Sequence, residues 1–258
     1  MSDMSGSVGG GGFRLERLAN GWVVGRFTAL EAMGVTHCVT TRQGPDVHDV
    51  RYDTDAVGRL IAGELGADGA AYIEQVHAGE ALLCEAPGQA GRADGLVTAA
   101  HGLLLLGKSA DCPIILLADS EGRAVGFAHA SWRATVAGIV SAVVDRMREV
   151  DCRPKDLVAC ICPSVGPECY EVGPEVRDAA IARLGGHAAG FFRPGPRGRD
   201  HFDLWAANTD ALIRAGVMPT SIHVAGICTM CRNDLFPSHR REGHQAGRFA
   251  AVIGHTPQ

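Results

Sequence analysis

The 258-residue chain has no apolar run near the roughly 18 residues that a membrane helix needs, and its start lacks the basic-then-apolar order of a secretory signal. A membrane protein and an exported one are both disfavoured, and the expected compartment is the cytoplasm. Positive charge is not gathered into a stripe: Arg is mixed evenly with Asp and Glu at a net charge of -5, so nothing would neutralise a phosphate backbone. Nucleic acid is not an expected partner. There is no internal repeat, and no linker interrupts the middle of the chain. Nor is there a disulfide framework, because nine cysteines are an odd count and a reducing compartment would keep them as thiols or metal ligands. No segment points to a protein partner, and the oligomeric state is not legible.

What is present is a chain with 46% hydrophobic residues, enough to bury a substantial core in one domain. Residues 1–12 are Gly- and Ser-rich without a hydrophobic period and are expected to be a disordered tail, leaving residues 13–258 as a single domain. Strand-like segments at Val35 to Thr41, Ala71 to Val76, Leu103 to Gly107, Ile114 to Ala118, Ala124 to Ala128, Leu157 to Ile161 and Ile222 to Ala225 alternate irregularly with helix-like ones. A helix is predicted after Trp132, where Val136, Ile139, Val140, Val143, Val144 and Met147 form one apolar stripe. Others are predicted from Gly173-Pro174 to Gly185-Gly186, and from an Asp203 N-cap to Gly216. Several strands between Glu80 and Ala128 arrive without an intervening helix, which disfavours a doubly wound parallel sheet and favours an α+β fold with a mixed sheet.

Three stretches carry the chemistry: Glu74-Gln75-Val76-His77, Ser109-Ala110-Asp111-Cys112-Pro113 and Phe127-Ala128-His129-Ala130-Ser131-Trp132-Arg133. Each ends an apolar segment and presents a soft or borderline metal ligand. A His, Cys, His set is one ligand short of a closed tetrahedral site, as in zinc centres that keep a position for water or substrate. Copper(I) also accepts thiolate and imidazole, so ligand type leaves the metal open between zinc and copper. A metal-free reading stands beside it, with Cys112 as nucleophile and His77 or His129 as its base. The His-x-Glu and Pro-Cys-x-x-Cys signature of zinc nucleobase deaminases is not matched, since His77-Ala78-Gly79-Glu80 has one residue too many and Cys112-Pro113 reverses the order.

Elsewhere, Cys228-Thr229-Met230-Cys231 is a lone CxxC with His239 and His244 downstream, where a structural zinc site normally pairs two half-sites. Cys160-Ile161-Cys162 is read as a strand whose two thiols diverge, and so not as a chelate. Arg42 follows a strand and precedes Gly44, where a guanidinium could grip a phosphate or carboxylate. Arg240, Arg241 and Arg248 could likewise line an anion pocket.

The motifs Gln75-Val76-His77, Asp94-Gly95-Leu96-Val97-Thr98, Ala110-Asp111-Cys112-Pro113 and Ala128-His129-Ala130-Ser131-Trp132-Arg133 resemble, in order, those of the laccase-domain family. It is also called the multicopper polyphenol oxidase-like or purine nucleoside phosphorylase family. Cys162-Pro163-Ser164-Val165-Gly166-Pro167-Glu168-Cys169-Tyr170-Glu171-Val172, His201 to Asn208, Cys228-Thr229 and Phe236 to Arg248 continue the match to the end of the chain. The resemblance implies one domain of α/β/β/α layers with a mixed β-sheet, and zinc held at His77, Cys112 and His129. It implies phosphorolysis of purine nucleosides and deamination of adenosine, with nucleoside and phosphate as small-molecule partners and Arg42 helping to hold the anionic reactant; Arg248 is a second candidate to neutralise the phosphate. Asp94, Asp111 and Glu171 are unranked candidates for the general acid. The sequence departs from the family at Pro45 to Tyr52, where the usual Gly-Gly-Val-Ser turn and Ser-Leu-Asn-Leu stretch are replaced; that region normally contributes to the pocket.

Other functions compete. Copper-dependent oxidation of phenols needs several copper centres, and the paired His-x-His motifs usual for them are absent. A cysteine hydrolase editing peptidoglycan precursors would use Cys112 as nucleophile. A non-catalytic binding module would keep the triad for stability alone.

Overall fold

A strand that is apolar at every position must be covered on both faces, and two such runs, Leu103 to Leu106 and Ile114 to Ala118, decide the architecture. The computed structural model describes residues 10–48 and 53–257. In chain order its strands are Phe13–Arg17 (β1), Val23–Phe27 (β2), Thr36–Thr40 (β3), Gly69–Glu74 (β4), Ala81–Leu83 (β5), Gly88–Arg92 (β6), Gly95–Thr98 (β7), Leu103–Ser109 (β8), Ile114–Asp119 (β9), Val125–His129 (β10), Leu157–Ile161 (β11), Glu171–Val172 (β12), Phe192–Pro194 (β13), Asp200–Phe202 (β14), Ile222–Val224 (β15) and Phe249–Gly254 (β16). The helices are Thr28–Ala32 (α1), Thr54–Glu64 (α2), Trp132–Val136 (α3), Ile139–Glu149 (α4), Pro174–Leu184 (α5), Leu204–Arg214 (α6) and His239–Glu242 (α7).

A seven-stranded sheet runs β1-β2-β3-β16-β8-β4-β6 and a six-stranded one runs β15-β11-β9-β10-β7-β5, with β12-β14-β13 as a small third sheet. Both large sheets are mixed: β4 is parallel to β6 and β8, β5 to β7 and β11 to β15, while the remaining pairs are antiparallel. Alternation of side chains along each strand splits the apolar runs between layers. Leu103 and Leu105 of β8 meet Leu116 of β9 and Phe127 of β10 in the central core between the sheets. Leu104 and Leu106 face outward onto Ile61 and Ala62 of α2. Ile115 and Leu117 face the other way, onto Ile139, Val143, Met147 and Leu212 of α4 and α6. The result is helix, sheet, sheet, helix, in one α+β fold.

The stripe predicted after Trp132 is divided between two helices. Gly138 sits at φ 88° between α3 and α4, a left-handed conformation in which a side chain would be strained. Ile139, Val140, Val143, Val144 and Met147 of α4 are buried as one face. Asp203 caps α6 by accepting from the Ala206 amide at 2.9 Å, and Pro174 opens α5. Strand β16 has no counterpart among the predicted segments, although all six of its residues are buried and it pairs with both β3 and β8. Cys160 and Cys162 correct the reading made of them: two residues apart they share a face, both buried in the core between the sheets. Gly10, at the end of the Gly-rich start, donates its amide to the Ala225 carbonyl at 2.9 Å, and residues 1–9 lie outside the described residues. No helix among the described residues is long and apolar enough to cross a membrane.

His37 of β3 is fully buried, donating Nδ1–H to the Val35 carbonyl (3.0 Å) and accepting the Phe27 amide at Nε2 (2.8 Å). Burial disfavours its cation and lowers its pKa from 6.5 to about 4. With the folded value depressed, the unfolded chain takes up the proton first, so this contribution is complete above pH 6.5 and is lost as pH falls toward 4. At about 1.4 kcal/mol per pKa unit the loss is roughly 3 kcal/mol. Urea unfolding across that range should show this fall in the unmutated protein and lack it in His37→Gln; parallel pH curves for the two would contradict the assignment.

Candidate metal centre

The chain passes from the seven-stranded to the six-stranded sheet between β4 and β5, between β6 and β7, and again between β8 and β9. Each crossing carries one residue of the site: His77, Asp94 and Cys112 in that order. His129 closes β10, after which Ser131 caps α3 by accepting the Ala134 amide at 3.2 Å. The predicted triad is thereby assembled. One ligand atom each from His77, Cys112 and His129 lie within 4.8 Å of one another, with His77 exposed, Cys112 intermediate and His129 buried. The two imidazoles meet edge to face, centroids 5.0 Å apart at 82°.

Asp94 sets this geometry. Fully buried, it accepts the His129 Nδ1–H at Oδ1 (2.7 Å) and the amides of Val76 and Ala78 at Oδ2 (3.2 and 2.6 Å). Those two amides bracket His77, whose φ of 60° is unusual for a residue with a side chain. The carbonyl of Asp94 also accepts the His129 amide at 2.7 Å. Burial works against the Asp94 carboxylate, but its hydrogen bonds to His129 and to the Ala78 amide prevail and its pKa is lowered. An ionised carboxylate with both oxygens occupied has no proton to donate, and what Asp94 does here is orient the His129 ring and the His77 turn.

The Cys112 turn is held in a similar way. Asp111, at φ 95°, accepts the Thr229 hydroxyl and the Arg240 amide, each at 2.6 Å, and its carbonyl accepts the Val165 amide at 2.8 Å. Backbone strain of this kind persists where the surroundings over-determine it, and it gathers at functional sites. Glu171 is paired with Arg197 at 2.8 Å and lines no part of the cavity beside the triad.

Electrostatically the pocket favours a cation at His129, beside Cys112. Burial disfavours charge on His129, yet hydrogen bonds to Asp94 and Cys112 outweigh it and push its pKa up to about 9. Burial lowers the pKa of His77, and the neighbouring His129 adds to the effect. With Nδ1 given to Asp94, His129 presents Nε2, so a metal ion would replace the proton that the site attracts there. The donor set of one thiol and two imidazoles fits zinc or copper(I), and a carboxylate behind the buried histidine is the usual outer partner of such ligands.

The triad opens into a cavity of about 420 Å³ lined also by His48, Gln75, Lys108, His239 and Arg248, with no carboxylate among the described lining residues. Gln75 is fixed by reciprocal hydrogen bonds with the Lys108 backbone, both 2.9 Å. Arg248 continues into a smaller cavity of about 110 Å³, where Arg42 lies. Arg42 itself donates to the Asn233 carbonyl at 2.7 Å and to Glu242 at 2.5 Å. Of the segment that departs from the family, Asp46 accepts the His48 and Arg248 amides and His48 reaches the cavity wall; residues 49–52 lie outside the described residues. His48, Gln75, Lys108 and His239 were not marked in the sequence as lining residues, because they converge from four separate segments.

Residues 35–256 match the model of the family described as multi-copper polyphenol oxidoreductase laccase. The chain belongs to this family. A Deinococcus radiodurans protein named purine nucleoside phosphorylase is 40% identical over 236 residues, covering 86% of this chain and 90% of its own length. A protein of an unknown prokaryote named adenosine deaminase RL5 is 36% identical over 155 residues, 60% of this chain and 59% of its own. The crystal structure of YlmD from Geobacillus stearothermophilus superposes with a TM-score of 0.82 at 30% identity, covering 94% of this chain and 99% of that one. The laccase-like family thus includes relatives named for nucleoside chemistry, on the fold described above.

If Asp94 holds both histidines, Asp94→Asn should weaken zinc binding about 10- to 100-fold, the usual cost of losing such an outer partner. Competition against a chromophoric chelator would measure it; unchanged affinity in the folded variant would remove Asp94 from this role.

Proposed function

We propose that the chain is a zinc-dependent purine nucleoside phosphorylase, with the metal at His77, Cys112 and His129 and the phosphate seated against Arg248 and Lys108. The observation that carries this reading is the charge of the cavity: among the described residues Lys108 and Arg248 line the space in front of a cation-seeking triad, with no carboxylate in that lining. A dianion is the reactant such a wall would hold. The family and the relatives named purine nucleoside phosphorylase support the same reaction.

In phosphorolysis a phosphate oxygen attacks C1′ of the ribose, the bond from C1′ to the purine nitrogen breaks, and the bonding pair leaves with the base. Positive charge builds on the sugar, so a phosphate fixed beside it both stabilises and attacks. Zinc, when bound, would supply a Lewis acid for a substrate oxygen or for water. Arg248 is held for its task by its own turn, with its amide on Asp46 and its guanidinium donating to the Ala246 and Gly247 carbonyls at 2.8 and 2.9 Å. The departing purine needs a proton, and the imidazoles of His48 and His239 are the wall groups that can hold one. Arg42 acts at one remove: with Asn233 it fixes Glu242, which accepts the Ser238 amide at 2.8 Å and so sets the start of α7, where His239 lies.

Deamination of adenosine is the second reading, favoured by the relative named adenosine deaminase; it would use the same triad with water as nucleophile. Phenol oxidation by a copper cluster is less well supported, because the metal-type groups among the described residues are one His/Cys/His set and one set of three cysteines.

Chromatography of products from adenosine, with and without phosphate, tests the proposal. Adenine and ribose 1-phosphate should form only with phosphate and should vanish in Cys112→Ala. Arg248→Gln should raise the KM for phosphate about tenfold or more, the value of one charge-assisted hydrogen bond, while the nucleoside KM stays within about twofold. Inosine formed regardless of phosphate would establish the second reading, and unchanged adenosine from a folded, zinc-loaded protein would overturn both.

A further inference from the structure

The lone CxxC acquires a partner in the fold, and it is neither downstream histidine. His239 and His244 meet edge to face with centroids 5.5 Å apart. Cys169, 62 positions before Cys231, comes instead to the CxxC loop, its Sγ 3.4 Å from that of Cys231. The Sγ atoms of Cys169, Cys228 and Cys231 all lie within 4.8 Å of one another. Tetrahedral thiolates at about 2.3 Å from zinc stand about 3.8 Å apart, so these three can close on one ion with little movement.

Two loops hold the cluster together. The Cys169 amide donates to the Gly166 carbonyl at 2.9 Å, and a Cβ at Gly166 would lie 3.0 Å from Cβ of Cys228 and 3.4 Å from its Sγ, an approach that suits glycine. Ser164 bridges Cys228, and the Thr229 amide donates to the Ser164 carbonyl at 3.0 Å. Cys231 is exposed while Cys169 and Cys228 are partly buried, so one side of the cluster faces water.

We propose that Cys169, Cys228 and Cys231 form a second metal site for one thiophilic divalent cation of the zinc class, bound by three thiolates with its fourth position open to solvent. Three thiolates on a divalent ion leave a net charge of -1, and Arg241 lies beside them, donating to the Met230 carbonyl at 2.9 Å. A redox pair would need a thiol whose pKa is lowered by a cation or a helix N-terminus. Here burial and the hydrogen bonds among the cysteines push Cys169 up to about 12. The site also has a structural consequence: Thr229, inside the CxxC, is the residue whose hydroxyl holds Asp111 next to Cys112. Binding at the three cysteines would fix the loop that supports the first site.

Anaerobic titration with cobalt(II) tests this without recourse to enzyme activity. The unmutated chain should bind two equivalents. Cys112→Ser should keep one, with roughly three times the thiolate-to-cobalt absorption per ion of the single-thiolate site left in Cys169→Ser/Cys231→Ser, three thiolates against one. Where circular dichroism finds Cys112→Ser unfolded, the difference of one equivalent between the unmutated chain and the double variant decides. A folded Cys112→Ser chain without thiolate-to-cobalt absorption would overturn the proposal, as would equal binding by the unmutated chain and the double variant. So would a Cys169–Cys231 disulfide that persists in reductant, found as a loss of two hydrogens by mass spectrometry. Failure of the nucleoside assay would leave these outcomes unaffected.

Discussion

The carboxylate of Asp94 is the interaction on which the site rests. One oxygen fixes the ring of His129, and the other, through the amides on either side of His77, holds that residue in a left-handed conformation it would otherwise avoid. Buried with both oxygens engaged, it is a charge whose removal would leave donors unsatisfied, and unpaired buried polar groups are costly. The attraction for a cation at His129 follows from the same carboxylate. A ring with an ionised acid behind it and a thiol in front is built to carry positive charge, whether from a proton or from a metal.

The fold delivers these residues because of how its two sheets are joined. Chains that cross from one sheet of a sandwich to the other must leave their hydrogen-bonding ladder, and the crossing residues need partners for their backbone groups. Three crossings meet at the site, where Asp94 of one holds the His77 crossing and Asp111 of another is held by Thr229 and Arg240 from the C-terminal part of the chain. A site at such a junction is rigid on its sheet side and open on the other. There Lys108, Arg248, His48 and His239 face the cavity.

Much of this was legible in the residues. The triad stood out because chemically suited side chains ended apolar segments, and the α/β/β/α layering came with the family resemblance. The mixed sheets were expected from strands that follow one another without helices. Other features were hidden for physical reasons. Strand β16 is a short, uniformly buried run without the alternation that marks a half-buried strand. The helix after Trp132 breaks at Gly138 because of a backbone conformation that apolar periodicity does not register. Asp94 resembles a candidate acid until its two oxygens are accounted for. The approach of Cys169 to the CxxC depends on tertiary structure alone, as does the pairing of Arg42 with Glu242.

Zinc-edge X-ray absorption on the folded Cys169→Ser/Cys231→Ser chain, loaded with one equivalent of zinc, tests the account most directly, because it removes the three-cysteine cluster and reports only the first site. The account predicts one sulfur at about 2.3 Å and two imidazole nitrogens at about 2.0 Å, completed by a light atom from solvent. A first shell without sulfur, or one lacking the two imidazoles, would contradict it.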